Sequence, residues 1–197
     1  MDIFKNLEQN SNDSNFAIII RHADRNQIPN GHFGNDVLLN EIGIANSILF
    51  GKKLVGRKIA RIFTSPIQRC VQTAEYIAKG YGTKLDIIET TALGAPGLHI
   101  ADEELAGKYY LKHGFFKILD DFRSGITSPG MTDIAEFESK MNDFISKNSN
   151  ADGITIFVTH DAVISLFHYC YDQTIYTKDN WVLYLGGLTI TKNNETT

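Results

Sequence analysis

Five short apolar runs, most of them rich in β-branched residues, recur along the chain. Between them apolar positions return every three or four residues. Runs of four or five such residues without polar alternation suit strands buried on both faces, whereas the longer periodic stretches suit amphipathic helices. On that basis strands are expected over 16–20, 59–63, 85–88, 154–158 and 181–190. A helix opens at Asn40, a good N-cap, with Ile42, Ile44, Ile48, Leu49 and Leu54 as its apolar stripe. Ser65-Pro66 reads as an N-cap followed by proline in the first turn, predicting a helix from Pro66 to about Lys79. Further helices are expected over 105–111, 115–122, Asp133–Lys147 (Ile134, Phe137, Met141, Phe144 and Ile145 inward) and from Asp161 to about Tyr171.

Strands alternating with helices predict a three-layer α/β/α sandwich around a mostly parallel sheet. A loop-rich stretch of about 94–130 is expected to form a small inserted cap. Residues 16–190 then make a single domain, flanked by a polar lead (1–15) and a polar tail (191–197).

Composition narrows the function classes. With 197 residues, 43% of them hydrophobic, the chain can bury a core without disulfides. A net charge of −4 argues against nucleic acid or an anionic membrane as partner, so an anionic ligand would need local basic side chains. The two cysteines, Cys70 and Cys170, have Tyr76 and Tyr176 six positions on, which removes the Cys-x5-Arg loop of cysteine phosphatases. The start of the sequence has no apolar core of a signal peptide and no run is long enough to span a membrane, so a cytoplasmic location is expected. His-x3-His and clustered Cys/His spacings are absent, as are Walker A and Gly-x-Ser-x-Gly strings, so no metal or cofactor is expected.

Chemistry concentrates where the strands stop. The first strand runs into Arg21-His22-Ala23-Asp24-Arg25, the second into Ser65-Pro66 and on to Arg69, the fourth into His160-Asp161. In open parallel sheets ligands bind beyond the carboxyl ends of the strands, so these three segments should converge. Arg21, Arg25 and Arg69 are planar forks suited to phosphoryl oxygens. His22 is a competent phosphoryl acceptor if neutral, and His160 can bind an oxygen and stabilise developing charge. Asp161 is placed to protonate a leaving oxygen. Each residue alone has a plainer reading as a solvated loop charge, an oriented structural histidine or a helix-surface arginine; the constellation outweighs them. His32, Asn26, His99 and His113 are weaker candidates for substrate contacts.

The strings Ile20-Arg21-His22-Ala23-Asp24-Arg25, Thr64-Ser65-Pro66-Ile67-Gln68-Arg69-Cys70-Val71-Gln72-Thr73-Ala74 and Val158-Thr159-His160-Asp161 resemble the histidine phosphatase (phosphoglycerate mutase-like) superfamily, in order and over about residues 16–190. Leu38-Leu39-Asn40-Glu41-Ile42-Gly43 resembles the segment between its first two motifs. The resemblance implies a phosphohistidine intermediate, no metal, and a pocket of Arg21, His22, Arg69 and His160. Arg25 and the His160-Asp161 pair are closer to the acid-phosphatase branch, in which the aspartate is the proton donor. Ala23 stands where the family usually has glycine. Mutase-like members carry a glutamate after the second motif, a place that Glu89, Asp102, Glu103 or Glu104 could fill. The expected activity is hydrolysis of a small phosphorylated metabolite or sugar phosphate. A phosphoryl mutase and a non-catalytic phospholigand-binding module are the alternatives, and nothing in the sequence reads out oligomeric state.

Overall fold

The computed structural model describes residues 3–4, 16–29, 31–149 and 152–191. Five strands, β1 (Phe16–Arg21), β2 (Ile59–Thr64), β3 (Ile87–Glu89), β4 (Ile154–Thr159) and β5 (Gly187–Thr191), form one sheet in the order β3-β2-β4-β1-β5. All pairings are parallel except that of β5 on the edge beside β1. Among the described residues six named α-helices accompany the sheet: α1 (Glu41–Lys53), α2 (Gln68–Tyr81), α3 (Glu103–His113), α4 (Phe115–Arg123), α5 (Ile134–Asn148) and α6 (Asp161–Asp172). None of the described helices is long and apolar enough to cross a membrane.

Alternation along the buried strands builds two cores. Ile18, Ile20, Ile62, Ile156 and Val158 face α1 and α2, while Ile19, Phe63 and Phe157 face α4, α5 and α6. The sandwich therefore has the expected three layers. The lead is less detached than its polarity suggests, because Ile3 is buried in the α1/α2 core and Phe4 packs on Phe50. The cap is likewise fused to the body: Ile118, Leu119 and Phe122 of α4 join Phe137 and Phe167 in one cluster.

Three expectations are corrected. The apolar stripe assigned to α1 faces outward at Ile42 and Leu49, which are 62% and 52% exposed. The inner face is instead Gly43, Ser47, Phe50 and Gly51, because α1 and α2 approach until backbone meets backbone. A Cβ on Gly51 would lie 2.0 Å from the Ile77 carbonyl oxygen, and one on Gly80 2.0 Å from that of Ile48. Second, α2 starts at Gln68 with Ile67 as its N-cap residue and no side-chain cap; the Ser65 hydroxyl accepts from the Ile67 N–H at 3.3 Å, ahead of the first helical turn. Third, the strand expected from 181 begins only at Gly187; the turn before it is held by Leu185 N–H donating to the Arg21 carbonyl and by Gly186 N–H donating to that of Leu183.

The α1–α2 contact orients the helix that carries Arg69, and its tightness is testable. Gly80→Ala should destabilise the protein by about 3 kcal/mol, the upper end for overpacking, because carbonyl backbone cannot give way as a side chain can. Gly107→Ala, whose new methyl would meet only the Phe33 ring at 3.4 Å, should be neutral or stabilising. Urea midpoints of the two variants measure both, and equal midpoints would refute the tight contact.

Candidate active site

Register brings the three strand ends level. Arg21 pairs with Thr159, and Val158 lies beside both Ile20 and Thr64. The residues just beyond, His22, Ser65 and His160, consequently emerge side by side. The His22 N–H still donates to the Thr159 carbonyl at 2.9 Å and the Ser65 N–H to that of Val158 at 3.0 Å, so the sheet fixes where these side chains start.

His22 is buried, with its Nδ1 2.8 Å from the Ala23 carbonyl oxygen. A carbonyl only accepts, so Nδ1 carries the proton and Nε2 keeps its lone pair. Arg69 Nε donates to that Nε2 at 3.0 Å. The remaining Arg69 nitrogens reach the Gly34 carbonyl at 2.5 Å and His160 Nδ1 at 3.3 Å. Because a guanidinium only donates, His160 Nδ1 is an acceptor and its Nε2–H donates to Ser65 Oγ at 3.0 Å. The two imidazoles stand edge to face with centroids 5.5 Å apart.

Burial, first, pushes the His22 pKa down to about 3; Arg69, Arg21 and Arg25 push the same way, against the Ala23 carbonyl. His160 is held well below its ordinary value for the same leading reason, with Arg69 next. Both rings are thus neutral near pH 7. Burial pushes the Cys70 thiol, 3.5 Å from His160 Nε2, up to about 12, so it is a packing group and not a thiolate.

Backbone choices make room for this pair. A Cβ on Gly94 would sit 2.7 Å from the His160 ring and 2.8 Å from Ser65 Oγ, so only glycine permits the chain to pass here. On the other side, the Ala23 N–H donates to Thr73 Oγ1 at 3.0 Å, tying the first motif to α2. A Cβ on Gly43 would fall 2.0 Å from the Asp24 carbonyl oxygen, so α1 is pressed onto the same loop.

A cavity of about 320 Å³ opens over the histidines. Arg25 and Arg69 line it, as do His22, His160 and Asp161. Arg21 does not. Its guanidinium lies behind, donating to the Val182 carbonyl at 2.6 Å, ion-paired with Asp161 Oδ2 at 2.7 Å and set 4.1 Å over the Tyr184 ring. Asp161 accepts additionally from Trp181 Nε1 and from the Ala162 N–H, each at 3.0 Å. The Nε–H groups of Arg21 and Arg25 are buried without a partner, an arrangement that an anion would satisfy.

Of the other carboxylates, Glu103 lines the cavity. Glu89 is exposed at the end of β3, Asp102 caps α3 by accepting from Leu105 N–H, and Glu104 pairs with Lys108. Among the weaker histidines, His99 lines the cavity, is pushed down to about 4 by burial and has an unpartnered Nδ1. His32 and His113 are exposed, the latter against Tyr109, and Asn26 contributes its carbonyl to Arg25. Gly94, Trp181 and Tyr184 carried no signal in the sequence, and Ser65 stands there as a strand-end and motif residue without a side-chain role. Ser65 looked like a helix cap, and the aromatic pair like ordinary strand residues.

A family model described as histidine phosphatase superfamily (branch 1) matches residues 17–192. The leaning towards the acid-phosphatase branch drawn from Arg25 and Asp161 receives no support from that match. No curated protein matches the sequence. Among solved structures, a mycobacterial glucosyl-3-phosphoglycerate phosphatase complexed with VO3 superposes with a TM-score of 0.58 at 12% identity, covering 87% of this chain and 88% of that one. Phosphoglycerate mutase from Bacillus anthracis gives 0.55 at 18%, over 91% and 93%. Bacillus stearothermophilus YhfR gives 0.56 at 14%, over 90% and 95%. At these identities the likeness is one of fold.

The neutral histidines make stability depend on pH. In the unfolded chain His22, His99 and His160 gain protons as pH falls through about 6.5, whereas in the fold they resist until far lower. The unfolded state therefore binds more protons between about pH 6.5 and 4, and stability present above that window is lost as pH falls through it. The slope should reach up to about 1.4 kcal/mol per pH unit for each such histidine. Urea midpoints at pH 7.5, 6 and 5 should fall in sequence, and His99→Leu should flatten the decline. A midpoint independent of pH would contradict the burial of neutral rings.

Proposed function

The chain belongs to the histidine phosphatase superfamily, and from that premise we propose that it is a metal-independent phosphomonoesterase that passes its substrate's phosphoryl group through His22. One observation carries the reading: a buried imidazole whose Nδ1 proton is committed to a carbonyl and whose Nε2 lone pair faces a guanidinium at the floor of a cavity. A nucleophile prepared in this way needs no general base.

A phosphomonoester dianion entering the cavity meets Arg25 and Arg69. Arg69 exchanges His22 Nε2 for a phosphoryl oxygen, and the lone pair is freed at the moment the phosphorus arrives. The same anion competes with Asp161 for Arg21, whose guanidinium must turn from Asp161 towards the cavity to reach it. Nε2 then forms the N–P bond as the bond to the ester oxygen breaks. His160 and the arginines hold the equatorial oxygens, which is where most of the catalysis of phosphoryl transfer comes from.

Asp161, released from Arg21 and taking up a proton from solvent as the phosphate dianion binds, delivers that proton to the departing oxygen. In the second half water attacks phosphorus, the N–P bond breaks, and the carboxylate takes the proton from water. Inorganic phosphate leaves and His22 is neutral again. Transfer back to an alcohol in place of water would make the same site a mutase, an activity carried by one of its structural neighbours.

Two experiments test this. Rapid quenching during turnover in excess EDTA should trap an acid-labile, base-stable phosphoprotein on His22. His22→Ala should abolish that adduct and lower kcat/KM by more than about 10³-fold. Comparable turnover by the variant would end the proposal, and an isomerised phosphoester in place of free phosphate would turn it into a mutase. Asp161→Asn should slow hydrolysis of an alkyl phosphate by about 10²–10⁴-fold. A larger loss from Glu103→Gln would transfer the donor role to that residue.

A further inference from the structure

The cavity has two chemically distinct ends, and the outer one bears on the substrate. Beyond the histidines and Arg25 its walls are Ile28, Phe33, Ile100, Tyr110, Phe115 and Met131. They come from the loop after β1, from the cap and from the segment before α5. Phe33 and Tyr110 face each other as a tilted pair with centroids 5.6 Å apart, and they are 47% and 38% exposed. Apolar rings left in water at the mouth of a pocket are costly unless something covers them.

Charge along this wall points the same way. Among the described residues the outer lining contains no Lys or Arg, and its one charged side chain is Glu103. A carboxylate carried by the substrate would meet repulsion and find no cation beyond the phosphoryl site. A sugar or glycerol chain would find Asn35, His99, Tyr110 and the Glu103 carboxylate as polar partners, set against the apolar Ile28, Phe33, Ile100, Phe115, Ile118 and Met131. Hydroxyl-rich substrates are normally held by several placed polar groups, because a buried hydroxyl without a partner is penalised.

A separate observation concerns the leaving group. Asp161 is the carboxyl next to His160, yet its oxygens already accept hydrogen bonds from Arg21, Trp181 and Ala162, so protonating it requires breaking an ion pair. A phenol ionises near pH 10, far more readily than an aliphatic alcohol, and its anion leaves with little help from a proton donor. The site is thus better equipped to expel a phenolate than an alkoxide.

Resting on the phosphatase reading above, we infer that the substrate class is an aryl monophosphate: an uncharged, apolar ring esterified through its phenolic oxygen. The phosphoryl group occupies the His22–Arg69–His160 floor, and the ring lies along the Phe33–Tyr110 wall. This replaces the sugar phosphates expected from sequence as the preferred class.

The test compares two esters that share a phenolic leaving group, 2-naphthyl phosphate and O-phosphotyrosine, with the aliphatic ester 3-phosphoglycerate. For 2-naphthyl phosphate kcat/KM should exceed that for O-phosphotyrosine, whose ring carries charges, by about 50-fold, and that for 3-phosphoglycerate by more. Phe33→Ser, at a half-exposed position, should shrink the naphthyl-to-phosphotyrosine ratio below about tenfold. Asp161→Asn should slow 2-naphthyl phosphate by less than about tenfold, well under its effect on an alkyl ester. Ratios within threefold, a preference for 3-phosphoglycerate, or an equal Asp161→Asn loss on both ester types would overturn the inference. The phosphatase reading would survive those results provided phosphohistidine forms on His22 with phosphoramidate, a donor without an organic leaving group. Failure of that adduct together with absence of hydrolysis would sink both.

Discussion

The guanidinium of Arg69 is the piece on which the site depends. Its Nε, and one terminal nitrogen, touch His22 and His160 respectively, while the other terminal nitrogen holds the carbonyl of Gly34 in the loop that rims the cavity. Three segments far apart in sequence are thereby tied to one planar group that can only donate. That restriction decides the chemistry on both sides, because each facing imidazole nitrogen must present a lone pair. The His22 tautomer is set twice over, by Arg69 at Nε2 and by the Ala23 carbonyl at Nδ1. Moving the arginine disturbs His22, His160 and the pocket rim together.

Keeping a cation and two neutral histidines in such a place has structural costs that the surrounding chain meets. The Arg69 side chain is almost fully buried, and burial lowers its pKa as it lowers those of the histidines. Polar partners therefore have to be built in. Ser65 receives the His160 N–H as well as that of Ile67, and Thr73 of α2 receives the Ala23 N–H. Helix α2 can sit so close because Gly51 and Gly80 let it rest directly on α1. The glycine contact, remote from the cavity, sets the position of Arg69 relative to the sheet.

A second device stands behind the first. The Arg21–Asp161 pair is braced by the Val182 carbonyl, the Trp181 indole and the Tyr184 ring. The turn that supplies those groups is the stretch that fails to join β5, and the two facts are connected: a carbonyl turned towards a guanidinium is not available to a strand ladder. Phe115 and Phe116 of α4 pack on Trp181, so the cap is joined to the Asp161 brace. The apolar wall of the cavity is therefore mechanically adjacent to Asp161.

The sequence by itself determined the layered architecture, the strand and helix order, and which charged and titratable residues stand at the strand ends. Those features are written in local periodicity and in charged residues that stop apolar runs abruptly, signals that need no knowledge of distant partners. The inner face of α1 was misread because glycine carries no hydrophobic signal, although its lack of a side chain is what creates the contact. The long last strand was misread because Trp181, Val182 and Tyr184 have strand propensity, which the hydrogen bonds to Arg21 and Asp161 override. Tertiary structure alone decided that Arg21 faces Asp161 and not the cavity, that Glu103 and His99 line the cavity while Glu89 and His113 do not, and that Ser65 serves His160. These are matters of side-chain direction between segments separated by tens of residues, which spacing along one chain does not encode.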